Sequence, residues 1–436
     1  MKKPIREIFD FRREEFPVVV LMFLFFFLVI AVFQVLRSLK KGLFLATYGA
    51  DAELYAKLAN ILVAALATVV FTYLYNKLAR QRLIYVLCLF FAAAFLALAF
   101  LLGTPKPGPG SIWGFYLLGD LLSTLMVAAF WAYLTDISDT DQAKRLFGAI
   151  GAGGVVGGWV GISFAKVLRQ AIGMQGFLLI SAAAVMVLAM VTFLVESWIL
   201  RKGVFRQALN TRMVIKDPKL SGTNAAWEGA RLVMTSKYLA AIVAIMAFYE
   251  VASQIMDYQF GSLAAKLSGV VATQAFIINV YFYANLIAVI VQFILVSLIM
   301  RKLGLVVALF MLPVAAFSSS VAFLVMPTLF VASLLVISDN GLNYSIQQTS
   351  RESLYVPTTS DDKYKARAFT NMFVQRLAKG VGIVIPIALG IAGWKNVRFL
   401  SLITLSAVVL MALCSIYAGR RFAERSAVIE GQRQAA

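Results

Sequence analysis

Charged side chains inside long apolar runs are the residues of this sequence that could do chemistry. The first run, residues 16–44, carries Arg37, Lys40 and Lys41 near its end. Their i, i+3, i+4 spacing puts all three on one helix face. They could snorkel to the lipid headgroups, or they could line a water-filled cavity. Because guanidinium and ammonium groups both bind phosphate, a cavity with several cations predicts an anionic substrate.

A second cationic group lies in the C-terminal part of the sequence. Arg376 and Lys379 share one face of the run 366–393. These two residues could line the same anion-binding cavity, or they could form a structural ion pair with an acid of another helix. Arg351 lies at the end of the preceding run. It could bind the anion as well, or it could anchor the helix at the cytoplasmic side of the membrane.

Three acids accompany these cations. Asp120 lies in the fourth apolar run, and Glu250 and Asp257 lie in the seventh. Glu250, Gln254 and Asp257 follow an i, i+4, i+7 pattern, which predicts a polar stripe along one helix face. Buried carboxylates of this kind can pair with cations at a gate, hydrogen-bond a ligand, or carry a coupled proton.

Two further motifs have both a structural and a functional interpretation. The segment "GAIGAGGVVGGWVG" has GxxxG-like spacing, which favours close helix packing, and it lacks the GxxxxGK[ST] pattern of a phosphate loop. The tenth run has a polar half, "SDNGLNYSIQQTSRES". Its Asp339, Asn340, Asn343 and Gln347 could line a substrate pathway or form hydrogen bonds between helices.

The elements that must position these residues are membrane helices. The chain has 436 residues, and 61% of them are hydrophobic, against roughly 45–50% in soluble domains. Apolar runs of roughly 20 residues recur, each long enough to cross ~30 Å of hydrocarbon. We predict an all-α polytopic membrane protein with twelve transmembrane helices in two six-helix halves, which is a major-facilitator-like fold. The predicted spans are residues 16–44, 55–78, 83–102, 111–135, 146–169, 175–199, 238–260, 271–300, 304–325, 327–349, 366–393 and 397–418.

The long polar stretch after the sixth span divides the chain into its halves. A similarity between two segments supports the division. "DQAKRLFGAIGAGG" leads into the fifth span and "DKYKARAFTNMFVQRLAKGVG" into the eleventh, and both place an acid and bases before a helix that contains glycine. In the major-facilitator fold, the two halves are related by an axis along the membrane normal. The predicted organisation is an N-terminal half at 1–200, a cytoplasmic linker at 201–237, a C-terminal half at 238–418 and a cytoplasmic tail at 419–436.

Lys and Arg are concentrated in the alternate loops that include both termini and the central linker. This bias predicts that both termini are cytoplasmic, and we expect a multi-pass protein of the bacterial inner membrane. The first run is too long for a signal peptide and has no small-residue cleavage site after it, so we expect it to remain in the mature protein.

Composition also excludes several kinds of site. The two cysteines, Cys88 and Cys414, both lie in apolar runs, and the sequence has no histidine. We therefore predict no metal site, no cofactor and no enzymatic constellation of nucleophile, acid and base. The net charge of +19 is first explained by membrane topology rather than by nucleic-acid binding. We expect a monomer in the bilayer.

Three segments carry a resemblance to a known family. They are "VLRSLKKGLFLATYGADAELYAKL", "FWAYLTDISDTDQAKRLFGAIGAGG" and "SRESLYVPTTSDDKYKARAFTNMFVQRLAKGVG". They resemble the ATP/ADP translocase family of plastids and obligate intracellular bacteria, nucleotide transporters distantly related to the major facilitators. The third segment is the most specific, because order and spacing both hold along it.

The resemblance implies that charged residues in the spans bind nucleotide. Lys40 falls on the family's first-span lysine, Glu250 on its seventh-span glutamate and Lys379 on its eleventh-span lysine. Arg351 falls on a position that is usually lysine, and Asp120 lies one residue from the family's fourth-span glutamate. Two patterns depart from the family: the first-span Arg-Asp-Thr-Lys-Asp reads "RSLKK", and a tenth-span Asp-Pro reads "VP".

The leading hypothesis is therefore a secondary active transporter of an anionic organic phosphate, most simply a nucleotide, that works by alternating access. The departures leave the choice between ATP/ADP exchange and nucleotide import open. An alternative is a flippase for an anionic lipid or another amphiphile, since the many Phe residues allow a partly apolar cavity. A third is a membrane sensor or interaction subunit without transport, whose intramembrane charges only pair with one another.

Overall fold

The computed structural model describes residues 15–104, 107–138, 140–202, 222–358, 366–367, 369–394 and 396–435. Within these ranges every regular element is helical, and nine helices are long and apolar enough to cross a membrane. The chain is thus an all-α, multi-pass membrane protein, as its apolar runs predict. The predicted cytoplasmic N-terminus before residue 15 and most of the predicted linker, residues 203–221, lie outside the described residues.

Two helices are too long for one crossing. Helix α1, Phe16–Lys77, has 62 residues, which at ~1.5 Å per residue is about three times the hydrocarbon thickness. Gly49, with φ 80°, interrupts it between the first two predicted spans. Helix α4, Thr140–Lys202, is interrupted in the same way by Gly173, with φ 65°, between the fifth and sixth predicted spans. Because these angles strain any residue with a side chain, glycine is what allows both breaks.

The other helices match the remaining predicted spans closely. Helix α5 was not predicted. It is an amphipathic helix within the predicted linker. The exact number of twelve spans stays a prediction. The helices are α2 Arg80–Leu102, α3 Pro109–Ile137, α5 Gly222–Thr235, α6 Lys237–Ala264, α7 Gly269–Ile290, α8 Val296–Lys302, α9 Gly304–Val325, α10 Leu329–Leu342, α11 Gln348–Ser353, α12 Gln375–Ile391 and α13 Leu400–Ala435, with π-helical turns at Val291–Leu295, Asn343–Gln347 and Thr370–Val374 and a 3₁₀ turn at Val397–Phe399.

The chain folds into two compact units. Unit 1 consists of residues 1–47, 59–216 and 269–282, and unit 2 of residues 48–58, 217–268 and 283–436. Each unit therefore takes one short segment from the part of the chain that supplies most of the other. The predicted division into halves, linker and tail remains a prediction.

In unit 1, the glycine-rich start of α4 packs directly on the first half of α1. A Cβ atom added to Gly157 would lie 2.3 Å from the carbonyl oxygen of Phe27, and one added to Gly161 would lie 2.4 Å from that of Ala31. Both contacts are to backbone, which cannot move aside easily. This confirms that the glycine spacing serves close helix packing.

In unit 2, helix α6 is surrounded by other helices. It is the most buried of the candidate spans, with 67% of its apolar window inside the protein. Helices α10, α12 and α13 all pack against it. The acids predicted in the seventh span therefore lie in protein rather than in lipid.

Candidate functional site

Lys40 is held in the interior of unit 1. Its side chain is 4% exposed, and its Nζ lies 2.5 Å from Oδ1 of Asp120 on α3. The same ammonium donates to the carbonyl oxygen of Tyr116 at 3.0 Å and lies 4.5 Å from the centre of the Tyr116 ring. Lys40 therefore faces α3 and does not snorkel to the headgroups.

Asp120 is shared between two partners. Its Oδ2 accepts a hydrogen bond of 2.6 Å from the amide of Asn60, on the second half of α1. The carboxylate remains 31% exposed while it neutralises Lys40. An arriving anion could therefore compete with Asp120 for the lysine.

The other two cations of the first span occupy different surroundings in unit 1. The guanidinium of Arg37 lies 4.8 Å from the centre of the ring of Tyr281, which belongs to the eighth predicted span. Lys41 is 4% exposed. Nearby, Gln274 donates to the carbonyl oxygen of Leu39 at 3.2 Å, which holds the first and eighth spans together beside this cationic face.

Glu250 is the carboxylate of a second Lys–carboxylate pair, in unit 2. It is 4% exposed on α6. Its Oε1 accepts a hydrogen bond of 2.7 Å from Gln375, and its Oε2 lies 3.9 Å from Nζ of Lys379. Both partners lie on α12, which directly follows the π-helical turn Thr370–Val374. Because π turns change the direction of side chains and often occur at functional sites, this turn is well placed to aim α12 at Glu250.

Asp257, two turns further along α6, has a different partner. Its Oδ2 lies 2.5 Å from Nζ of Lys57, in the segment 48–58 that belongs to unit 2. On the same segment, Asp51 accepts a hydrogen bond of 2.6 Å from the hydroxyl of Tyr258. The polar stripe on α6 thus meets α12 at Glu250 and the segment 48–58 at Asp257.

Three other predicted site residues are less directly involved with these pairs. The amide of Asn340 donates to the carbonyl oxygen of Val336 within its own helix, at 3.1 Å. The guanidinium of Arg351 contacts the sulfur of Met246 at 2.6 Å. Arg376 is partly buried, one turn before Lys379 on α12.

The polar half of the tenth span contributes a buried acid. Asp339 is 6% exposed, and its Oδ2 accepts a hydrogen bond of 2.7 Å from Ser253 of α6. Gln347 is fully buried at the end of a π-helical turn. Among the described residues neither its amide oxygen nor its amide nitrogen finds a hydrogen-bond partner. This span therefore has both interhelical hydrogen bonds and unused hydrogen-bonding capacity.

The structure also assigns partners that sequence reasoning missed. Lys57, Gln375 and Asn60 each contact one of the predicted acids. Lys57 lies in "DAELYAKL", at the start of the second predicted span, and was not among the predicted site residues. Gln375 could have been found, because it lies four residues before Lys379 and so shares its helix face.

Each unit thus pairs a lysine with a carboxylate within predicted spans, and one partner of each pair is buried: Lys40 beside Asp120 in unit 1, and Glu250 beside Lys379 in unit 2. Such pairs satisfy a lysine while no anion is present. A phosphate group can take over the lysine and displace the carboxylate, because ammonium groups bind phosphate as point charges. The arrangement is chemically suited to reversible anion binding, and not to bond making or breaking.

The fold is that of known membrane transporters. The structure matches that of the nucleoside transporter NupG with a TM-score of 0.58 at 14% identity, covering 93% of this chain and 99% of that one. It matches a bacterial homologue of the human lysosomal transporter Spinster with a TM-score of 0.55 at 13% identity, covering 95% and 99%. The chain is therefore a membrane protein with the major-facilitator type of transporter fold.

Sequence comparison then gives the family. The family model for the TLC ATP/ADP transporter matches residues 1–105 and 111–420. The chain belongs to this family, so it is a nucleotide transporter and not an enzyme. It is 22% identical to ADP,ATP carrier protein 1 of Rickettsia conorii over 414 residues, covering 82% of this chain and 83% of the relative. It is 23% identical to ADP,ATP carrier protein 5 of Rickettsia typhi over 453 residues, covering 89% and 90%.

Proposed function

We propose that this chain is a secondary active transporter that exchanges ATP for ADP or imports a nucleotide, and that Lys40 and Lys379 bind the substrate phosphates. The observation that carries this proposal is the presence of two Lys–carboxylate pairs within predicted spans, at 2.5 Å for Lys40 with Asp120 and 3.9 Å for Lys379 with Glu250. The names of the Rickettsia relatives, ADP,ATP carriers, support a nucleotide as substrate.

In the proposed cycle, each carboxylate neutralises its lysine while the carrier is empty. Substrate phosphate replaces each carboxylate at its own lysine, and release of the carboxylate accompanies the change of access. The other proposed substrate-binding residues are Arg37 and Lys41 in unit 1, and Asp257, Asn340, Arg351 and Arg376 in unit 2. The carrier works as a monomer in the bacterial inner membrane, with both termini in the cytoplasm.

The test is counterflow in proteoliposomes that contain the purified protein. Vesicles loaded with ADP should take up labelled ATP from outside. Lys40→Met and Lys379→Met should each reduce this uptake at least tenfold, since each removes a charge that we assign to phosphate binding. Lys302→Met is the matched control, because Lys302 is exposed at the end of α8 and should leave uptake unchanged. Equal uptake by all three variants would contradict the assigned roles.

The same vesicles separate the alternative functions. A flippase would move a fluorescent anionic lipid between leaflets and would leave labelled nucleotide outside. A sensor or interaction subunit would do neither, and the Lys40 and Lys379 variants would then change only the stability of the protein. Either result would replace nucleotide transport as the proposed activity.

A further inference from the structure

A cavity of about 420 Å³ opens in unit 2, and neither Glu250 nor Lys379 lines it. It lies between the start of α6 and the last part of α13. Neither the sequence hypotheses nor the proposed transport cycle uses the residues that line it. The lining includes Lys237, Tyr238, Tyr417, Arg421, Glu424 and Arg425.

Cations outnumber acids among the charged residues of the lining. Lys237, Arg421 and Arg425 line the cavity together with a single carboxylate, that of Glu424. Arg421 donates to Glu424 at 2.7 Å, with both side chains more than half exposed. Exposed pairs of this kind are weak, so the pair does not cancel the positive potential of the cavity. Three cations against one acid favour an anionic occupant.

The aromatic lining fixes one of these cations in place. Tyr238 is 2% exposed, and its hydroxyl donates to the carbonyl oxygen of Leu354 at 2.6 Å. The guanidinium of Arg425 lies 4.5 Å from the centre of this ring. A guanidinium above a ring uses its face for the contact and keeps its N–H groups at its edge. Arg425 is thereby positioned to donate to a group such as phosphate.

The cavity lies at the level of lipid headgroups. Helix α13 begins at Leu400, and Tyr417 follows ~26 Å further along the helix. This distance is close to the ~30 Å thickness of the hydrocarbon layer. Tyr417 and the lining residues Arg421 and Arg425 therefore fall at a membrane–water interface. Tyrosine is enriched at such interfaces, and basic pockets between helices bind anionic headgroups there.

We infer that this cavity binds the phosphate group of an anionic molecule, and that its level in the membrane favours a lipid headgroup as the source. The inference does not depend on the proposed transport cycle, since none of these residues takes part in it. Its ligand chemistry is set by Arg425, Arg421 and Lys237, with Tyr238 as the fixed support.

The test measures thermal unfolding of the purified full-length protein in detergent. Phosphatidylglycerol, phosphatidylcholine and inorganic phosphate are titrated separately into the wild type and into Arg421→Gln/Arg425→Gln. The matched control is Arg420→Gln, which removes an exposed arginine of α13 that does not line the cavity. If the double variant no longer unfolds cooperatively without lipid, Lys237→Gln takes its place.

We expect phosphatidylglycerol to raise the unfolding temperature of the wild type and of Arg420→Gln alike, and more than phosphatidylcholine does. The double variant should need roughly tenfold more lipid for the same shift, since each basic residue near an anionic surface adds to binding. A saturating shift with inorganic phosphate that the double variant loses would support the site and identify free phosphate as its ligand. No shift with either probe, or equal shifts in both variants, would overturn the inference.

Discussion

At the scale of single residues, the intramembrane charges are placed opposite one another. Lys40 is 4% exposed beside Asp120, and Glu250 is 5% exposed beside Lys379. The second pair is longer, at 3.9 Å, and its lysine is 40% exposed. The contact with Glu250 is therefore the easier of the two to exchange for a substrate phosphate, because exposure and distance both weaken an ion pair.

We therefore predict that Glu250→Gln raises apparent nucleotide affinity and slows counterflow. The amide still hydrogen-bonds Gln375 but no longer competes for Lys379. Removal of a partly exposed pair worth about 0.5–1 kcal/mol should tighten binding roughly two- to fivefold. Turnover should fall because the empty carrier loses the charge that neutralises its lysine. Binding and counterflow measured on the same preparation check both effects.

The control for this substitution is Glu352→Gln. Glu352 forms an ion pair with Arg367, and its side chain is 40% exposed. Loss of its charge should leave nucleotide affinity and counterflow as in the wild type. Wild-type values for Glu250→Gln in both assays would show that Glu250 takes no part in transport.

The sequence predicts which residues matter here better than it predicts their partners. Lys40, Glu250 and Lys379 stand out because an ionisable side chain inside an apolar run is costly. The contact of Lys57 with Asp257 could not be predicted, because the two residues are 200 positions apart. No periodicity links residues on different helices, so only the packing of those helices reveals such pairs.

At the scale of helices, the glycines of α4 set how closely it approaches α1. A Cβ atom at Gly157 would lie 2.3 Å from a backbone oxygen, whereas nothing lies within 4 Å of one at Gly148. The two positions are on the same helix, but only Gly157 is at the contact. They form a natural pair for testing how much this contact stabilises the protein.

We predict that Gly157→Ala lowers the free energy of unfolding by about 1–3 kcal/mol, the usual cost of overpacking. Gly148→Ala should be neutral or stabilising by up to ~1 kcal/mol, since alanine is the better helix former. Thermal unfolding of both variants in detergent checks the difference. If both variants unfold at the same temperature, the close approach of α4 to α1 contributes no stability.

Most helices were predictable, because an apolar run of bilayer length has few alternatives. The run 111–135, for example, corresponds to α3, Pro109–Ile137. The π-helical turns, such as Asn343–Gln347, were not predictable. A π turn adds one residue without changing the apolar pattern around it, so the sequence carries no periodic signal for it.

At the scale of the whole molecule, the chain passes repeatedly between its two units. Residues 48–58 belong to unit 2, although the sequence places them within the predicted N-terminal half. Residues 269–282 belong to unit 1, although they begin the eighth predicted span. The sequence shows where apolar runs begin and end, but assignment to a unit depends on contacts between distant residues.

The orientation of the molecule gives a prediction at this scale. The Lys and Arg bias predicts that both termini are in the cytoplasm. A reporter fused after Gly108 should therefore be periplasmic, and one fused after Lys219 should be cytoplasmic. The reporter can be an enzyme that is active on only one side of the membrane, such as alkaline phosphatase. Its activity in cells then shows on which side each fusion point lies. The reverse pattern would contradict the predicted topology.

The assignment of residues 48–58 to unit 2 also has a consequence for biosynthesis. Lys57 leaves the ribosome 200 residues before Asp257, which is about 10–40 s at ~5–20 residues per second. During that interval Lys57 has no Asp257 to pair with, and Asp51 has no Tyr258. Unit 2 cannot be completed until α6 is inserted beside a segment that entered the membrane long before it. Newly made N-terminal chains therefore carry Lys57 without its partner of the folded protein until α6 has been synthesised.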